Sequence, residues 1–143
     1  MNFVLIPGLR VHRLRLWRQE YIPGVCNIGP AERVRRIRGG WAGLISTLVL
    51  EGLLIIFRVG APWRFFLFLP ATVGATGFLQ AAFHFCAAFG FSGVFSFTTD
   101  VGKTDTVEQA EFRRKDRAKA LQIVSSAILI GIVVALLGCF TAR

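Results

Sequence analysis

Three long apolar stretches, separated by arginine-rich segments, constrain this chain more than any other feature of its sequence. They run from about 41 to 58, from about 63 to 90 and from about 119 to 140. A helix needs about 20 apolar residues to cross a hydrocarbon core of roughly 30 Å, so each stretch is long enough for one crossing. With 54% hydrophobic residues, the chain is too apolar for a soluble domain. The sequence therefore predicts an all-α integral membrane protein with three transmembrane helices.

Lysine and arginine are distributed unevenly around these spans, which predicts the topology. A basic segment over residues 1–40 carries eight arginines, and the connection over 92–118 between spans two and three is also basic. The connection between spans one and two has only Arg58 and Arg64. By the positive-inside rule, the N-terminus and the connection 92–118 lie in the cytoplasm of a bacterial-type inner membrane and the C-terminus lies outside.

The second span is longer than one crossing requires. We expect a tilted helix to about Phe89, followed by an interfacial turn that contains Phe91, Phe95 and Phe97. A re-entrant excursion is the alternative. Pro70 is expected to kink this helix.

The third helix is expected to begin in the cytoplasm, ahead of its span. Thr106 with Gln109 fits a capping box, and Glu111 with Lys115 makes a favourable i, i+4 pair. We predict a cytoplasmic extension of the third helix, which is either a solvated charged face or a contact for a partner.

Four arginines follow Pro30 and alternate with apolar residues, a pattern typical of a short amphipathic helix in the membrane interface. They are expected to contact anionic lipids or an acidic partner surface, and they are Arg33, Arg35, Arg36 and Arg38. The net charge of +9 is concentrated beside the spans, where lipid headgroups supply the counter-charge. Nucleic acid is therefore not an expected partner.

Two short motifs resemble the YgaP-like transmembrane domains, a family of small bacterial inner-membrane proteins. The first motif has the form N-x-G-x-x-[DE]-R-x-x-R and the second a leucine-proline, threonine-glycine pattern; the matching positions are Asn27, Gly29, Glu32, Arg33, Arg36, Leu69, Pro70, Gly74 and Gly77. The resemblance covers roughly residues 26–97. Family members usually have a cysteine-proline pair where this chain has Leu79 and Gln80, which weakens the sulfur-handling role that the resemblance implies.

Polar residues recur along one predicted face of the second span. Thr72, Thr76, Gln80 and His84 are spaced four apart, and lipid offers them no hydrogen bonds, so the stripe should face protein, ligand or water. Glu51 lies near the middle of the first span and is expected to be protonated or to bond to Thr72, Thr76 or Gln80. A proton or ion pathway is the alternative reading of this carboxyl group.

Two residue types suggest ligand chemistry without a full ligand set. His84, among phenylalanines, is a candidate axial ligand for haem or a chlorophyll-type pigment, with a structural histidine as the alternative. The cysteines Cys26, Cys86 and Cys139 are far apart and predict neither a disulfide framework nor a zinc site.

Small residues on the third span recur every four positions and form a ridge suited to close helix association. They are Ala127, Gly131, Ala135 and Cys139. We expect this small-residue ridge to be a packing surface for another helix, in the chain's host assembly.

No nucleophile, base and metal grouping typical of an enzyme is present in the sequence. The patterns favour a non-catalytic accessory or structural subunit of a larger inner-membrane complex, of photosynthetic or respiratory type. The alternative is a cofactor-binding or transport protein in which Glu51, Gln80 and His84 line one site.

Overall fold

The computed structural model describes residues 21–97 and 103–141. The first half of the predicted basic segment, residues 1–20, lies outside them. Helices and strands follow in the order α1 Pro30–Ile56, a 3₁₀ helix Ala61–Leu67, α2 Phe68–Ala82, α3 Ala87–Ser92, β1 Val94–Phe95, β2 Asp105–Thr106 and α4 Ala110–Phe140. The two strands pair antiparallel, Val94 with Thr106 and Phe95 with Asp105.

Three helical segments are long and apolar enough to cross a membrane. They are Pro30–Ile56, Ala61–Ala82 and Ala110–Phe140, of 27, 22 and 31 residues. The second combines the 3₁₀ helix with α2. The prediction of a mostly helical chain with three such segments is confirmed at this level.

Four glycines let α1 and α2 cross with their backbones in contact. A Cβ atom on Gly77 would lie 2.5 Å from the backbone nitrogen of Gly40 and 2.7 Å from the carbonyl oxygen of Arg36. One on Gly43 would lie 2.5 Å from the Cα atom of Gly74. The helices run antiparallel, and any larger side chain at these positions would push them apart.

Helix α4 packs antiparallel on another face of α2, so α2 lies between α1 and α4. Gly131 faces Phe68 and Thr72, where an added Cβ atom would meet the Phe68 ring at 3.1 Å. Gly138 faces Leu67 at the end of the 3₁₀ helix. The beginning of α1 and the end of α2 therefore lie at one end of the bundle, the basic end, and the 3₁₀ helix lies at the opposite end.

The second span ends earlier than its apolar sequence predicts. Helix α2 stops at Ala82, not near Phe89, and His84 adopts a left-handed backbone conformation with φ of 52°. Asn27 holds the turn that follows, because its Oδ1 accepts the N–H of Cys86 at 2.6 Å and its Nδ2 donates to the Cys86 carbonyl at 3.1 Å. A polar contact from a distant segment thus overrides the local apolar pattern.

Of three other local predictions, two are wrong and one is confirmed. The arginines after Pro30 do not form a separate interfacial helix, because α1 runs unbroken from Pro30 into the first span. The predicted capping box is wrong, since Thr106 lies in β2 and α4 begins at Ala110 without a side-chain cap. The Glu111 and Lys115 pair is confirmed, with Oε1 and Nζ 2.7 Å apart.

A polar cluster around the buried Asp116 closes the basic end, and we call Tyr21, Gly24 and Asp116 the cap. Residues 21–29 cross this end, and Asp116 of α4 accepts the Tyr21 hydroxyl and the Gly24 N–H, each at 2.7 Å. Burial, the hydrogen bond to Asp116 and the charge of that carboxylate raise the pKa of Tyr21. The Tyr21 ring stacks on Phe95 with centroids 4.7 Å apart. Phe95 therefore packs on this cap and is not part of a free interfacial turn.

Candidate functional site

An ion pair joins all three spanning segments at the end opposite the basic end. Arg64 of the 3₁₀ helix is 2% exposed, and its Nη1 lies 2.8 Å from Oε1 of Glu51 on α1. The same nitrogen lies 3.2 Å from the Gly138 carbonyl oxygen and contacts the Thr141 hydroxyl, both at the end of α4. We call Glu51, Arg64, Gly138 and Thr141 the clamp.

The partner predicted for Glu51 was wrong. The expected neighbours were polar residues of α2, yet the carboxylate bonds to Arg64 and lies 2.6 Å from the Thr141 hydroxyl. Glu51 is five residues from the end of α1, and Arg64 is near the start of the second segment. The first two segments run antiparallel on either side of a short connection. Residues at similar distances from that connection, such as Glu51 and Arg64, therefore lie side by side.

A cation at the end of α4 also suits the helix itself. The last carbonyl oxygens of a helix lack partners within the helix and carry the negative end of its dipole. Arg64 donates to one of them, the Gly138 carbonyl. The clamp is therefore arranged to hold helix ends, with each charge facing a group of opposite sign.

The predicted polar stripe on α2 is only partly preserved. The Thr76 hydroxyl donates to the Thr72 carbonyl at 2.7 Å, within the same helix. The Thr72 hydroxyl faces Gly131 of α4, and Gln80 is 6% exposed near the basic end. His84 leaves the stripe because α2 has already ended.

These positions also do not form the single site that the alternative function requires. Gly77 packs on Gly40 and Arg36, so Gln80 lies at the level of the first turns of α1. Glu51 is 15 residues beyond Arg36, or about 22 Å at 1.5 Å per residue. Glu51 and Gln80 therefore lie at opposite ends of the bundle.

A cleft of about 320 Å³ opens between α1 and α2 at the basic end. We call it the arginine cleft, and it is lined by Arg35, Arg36, Val73, Thr76, Gly77 and Gln80 among others. Glu32 lies 3.8 Å from Nη1 of Arg35 and 3.5 Å from Nη2 of Arg36. Of the positions predicted as sites, this cleft brings together two of the four arginines with three members of the polar stripe, Thr72, Thr76 and Gln80.

The other two arginines lie elsewhere on α1. Arg33 donates from Nε to the carbonyl oxygen of Ala81 at 3.1 Å, which ties the start of α1 to the end of α2. Arg38 is exposed and does not line the cleft. The four basic side chains thus have different surroundings, although the sequence gives no reason to separate them.

His84 acts through its backbone in this fold. Its carbonyl oxygen accepts the N–H groups of Asn27 at 3.2 Å and Ile28 at 3.4 Å. Ligation of haem or a pigment by its imidazole stays a prediction, which an absorption spectrum of the purified protein tests. Within 21–97 and 103–141, no group of three or more His, Cys, Asp or Glu side chains is placed to hold a metal ion.

The cysteines are free thiols in separate surroundings. Burial raises the pKa of Cys26, whose thiol donates to the Ile28 carbonyl. Cys86 is buried and accepts from Nη2 of Arg36 at 3.1 Å. Cys139 is half-buried, and its thiol lies 3.6 Å from the Ala61 carbonyl.

The small-residue ridge packs inside the chain. Ala127, Gly131 and Ala135 are buried, and Gly131 lies against α2. The expectation that a partner subunit covers this ridge is therefore corrected, since the chain's own second span covers it.

Sequence reasoning missed the glycine crossing of α1 and α2 and the Arg64 partner of Glu51. Gly40 and Gly43 have the same spacing as Gly74 and Gly77, and two small-xx-small pairs in neighbouring spans are a signal for close packing. Arg64 could have been proposed as the partner of Glu51, because it is the arginine nearest to the second span, which follows Glu51 in the sequence. Comparison with models of known protein families, with curated proteins and with solved structures finds no match to this chain.

Proposed function

We propose that this protein is a non-catalytic accessory subunit that packs against a transmembrane helix of a larger inner-membrane complex. One observation carries the proposal, an apolar groove of about 290 Å³ between α1 and α4. Leu44 and Phe78 form part of its wall on one side, and Ile130 and Val134 form the other. Its floor is α2, where Ala71 and Ala75 have short side chains.

A helix fits this groove better than lipid alone would. Short side chains on the floor let a helix backbone approach closely, which is how helices associate where the hydrophobic effect is absent. The walls are apolar and partly exposed, with Leu44 at 38% and Ile130 at 42%. A partner helix would complete a four-helix arrangement, with α1, α2 and α4 as the other three members.

The ionisable groups support a structural role over catalysis. The Glu51 carboxylate is bonded to Arg64 and Thr141, and the Asp116 carboxylate is bonded to Tyr21 and Gly24. Both therefore hold separate segments together.

Paired tryptophan variants test the groove. Ile130→Trp fills it, whereas Leu129→Trp places the same ring one residue away, at a position that is 62% exposed. We expect the first variant to lose its large complex on native gels in mild detergent and the second to keep it. Equal migration of both variants with the wild type would contradict the proposal.

The proposed orientation places the basic end in the cytoplasm, on the positive-inside rule. The Cys26 thiol has a raised pKa and should react slowly with a maleimide. Introduced cysteines are therefore better labelling sites. In a background with the three native cysteines replaced, an impermeant maleimide should label Gly60→Cys in intact cells and Glu108→Cys only after permeabilisation. The reverse pattern would invert the topology.

The class of assembly is a narrower proposal, a respiratory or photosynthetic complex. It rests on 14 phenylalanines among 143 residues and on His84. Purification from native membranes, followed by an absorption spectrum and identification of the co-purifying subunits, tests it. A host complex without haem, pigment or quinone would exclude this class.

A further inference from the structure

Three side chains that line the arginine cleft carry a buried polar atom that the described residues leave without a hydrogen-bond partner. These atoms are Oε1 of Gln80, an acceptor, Nε of Arg36, a donor, and the hydroxyl oxygen of Thr72. Gln80 is only 6% exposed. A buried polar group without a hydrogen-bond partner destabilises the protein, so a ligand that offers a donor to Gln80 and an acceptor to Arg36 would remove this penalty.

The charges around the cleft specify what the ligand carries. Arg35 and Arg36 supply two positive charges, and Glu32, within 3.8 Å of both, supplies one negative charge. Among these three described side chains, one net positive charge remains. It matches a phosphodiester, which carries one negative charge and has oxygens that guanidinium groups bind well.

We propose that the arginine cleft binds the headgroup of an anionic phospholipid. The phosphodiester oxygens accept from Arg35 and Arg36, and a headgroup hydroxyl donates to Oε1 of Gln80. A glycerol headgroup has this combination, with one net negative charge and free hydroxyls.

The shape of the cleft favours a lipid over a free anion. Its wall includes Val73, which is 59% exposed, and the α2 surface continues to Leu69, which is 60% exposed and lies one turn toward the opposite end. An acyl chain attached to the bound headgroup can lie along these side chains. A free phosphate would gain nothing from that surface.

The position of Arg35 explains how the headgroup enters. Its side chain is 61% exposed, whereas that of Arg36 is 24% exposed. Arg35 therefore meets the headgroup at the mouth of the cleft, and Arg36 and Gln80 bind it inside.

The test uses the purified full chain in detergent with three probes: phosphatidylglycerol, phosphatidylcholine and inorganic phosphate. Native mass spectrometry measures bound lipid, and thermal unfolding measures stabilisation. We expect phosphatidylglycerol to bind and stabilise, and the other two to do neither. Equal effects of both lipids would overturn the proposal, as would equal stabilisation by inorganic phosphate.

Matched variants locate the site. Arg35→Gln should weaken phosphatidylglycerol binding roughly tenfold, because one charge-assisted hydrogen bond is lost. Arg38→Gln removes the same charge from an exposed position outside the cleft and should leave binding unchanged. Equal weakening by both variants would show general attraction to a basic surface and overturn the proposal.

A change inside the cleft gives an independent result. Gln80→Glu keeps the side-chain size but adds a negative charge, which should abolish phosphatidylglycerol binding by repelling the phosphodiester. The helical circular dichroism signal of this variant establishes that it folds. Wild-type affinity in a folded Gln80→Glu protein would exclude the headgroup from the cleft.

Discussion

Replacing Glu51 with leucine should destabilise the protein by leaving the Arg64 charge buried without its counter-ion. Arg64 is 2% exposed, so its charge has little contact with solvent. Removing one member of a buried ion pair costs about 3–5 kcal/mol. The Gly138 carbonyl and the Thr141 hydroxyl remain as neutral acceptors, which places the expected loss near the lower limit, about 3 kcal/mol.

The chemistry of the group that is left unpaired predicts the relative stabilities of the single variants. A stranded carboxylate can become neutral by taking up a proton, whereas a guanidinium group remains charged. Glu51 is also 22% exposed, against 3% for the Arg64 side chain. We therefore expect Glu51→Leu to be less stable than Arg64→Leu, and Glu51→Gln to lie closer to the wild type because its amide oxygen can still accept from Arg64.

A double-mutant cycle isolates the interaction. The double variant Glu51→Leu, Arg64→Leu has no unpaired charge and should recover much of the stability lost in Glu51→Leu. The free energy of unfolding would be measured by denaturant titration in mixed micelles, with circular dichroism as the signal. A loss below about 1 kcal/mol in Glu51→Leu, the size of an average substitution, would refute this account of the clamp. A variant Glu51→Gln that assembles but supports no proton-coupled turnover of a host complex would favour the proton pathway instead.

The remaining predictions concern the glycines and the cap. Gly43→Ala should lower the free energy of unfolding by about 1–3 kcal/mol, because its methyl group meets the backbone of α2, whereas Gly52→Ala, with open space around it, should not. Gly131→Leu should destabilise the isolated chain, as measured by thermal unfolding, because its ridge packs internally. Tyr21, the single tyrosine of the chain, should titrate above its ordinary pKa of 10.0. The contribution of the neutral Tyr21 hydroxyl to stability is fully present below pH 10 and is lost as the pH rises from there through the raised pKa. Tyrosinate absorbance measures the pKa shift, which should be smaller in Asp116→Asn.

Periodicity and hydropathy predicted the spanning segments because these depend on residues that are close in sequence. The apolar stretch from 119 to 140 falls within α4, and the Glu111 and Lys115 pair forms as expected. Both features are decided inside one helix. Neither requires knowledge of which segments become neighbours.

The ends of α2 and the neighbours of the polar groups were not predictable in this way. Asn27 ends the second span through a contact with Cys86, 59 residues later. Glu51 likewise bonds to Arg64 and not to α2. The way the helices pack decides which of their residues lie at the same level of the bundle. The sequence placed Gln80 correctly on a polar face, but it could not indicate that Arg35 and Arg36 stand opposite.

The 3₁₀ segment gives the second span a length that depends on its helix type. A 3₁₀ helix rises about 2.0 Å per residue, against about 1.5 Å for an α-helix, so its seven residues would shorten by about 3.5 Å if they became α-helical. Membranes differ in hydrocarbon thickness by a few Å. In a 3₁₀ helix, residues three apart are eclipsed, which points Arg64 and Leu67 toward the same neighbour, Gly138. The same conversion would turn these two side chains about 60° apart, so we expect it to draw Arg64 away from Glu51 and to loosen the end of α4.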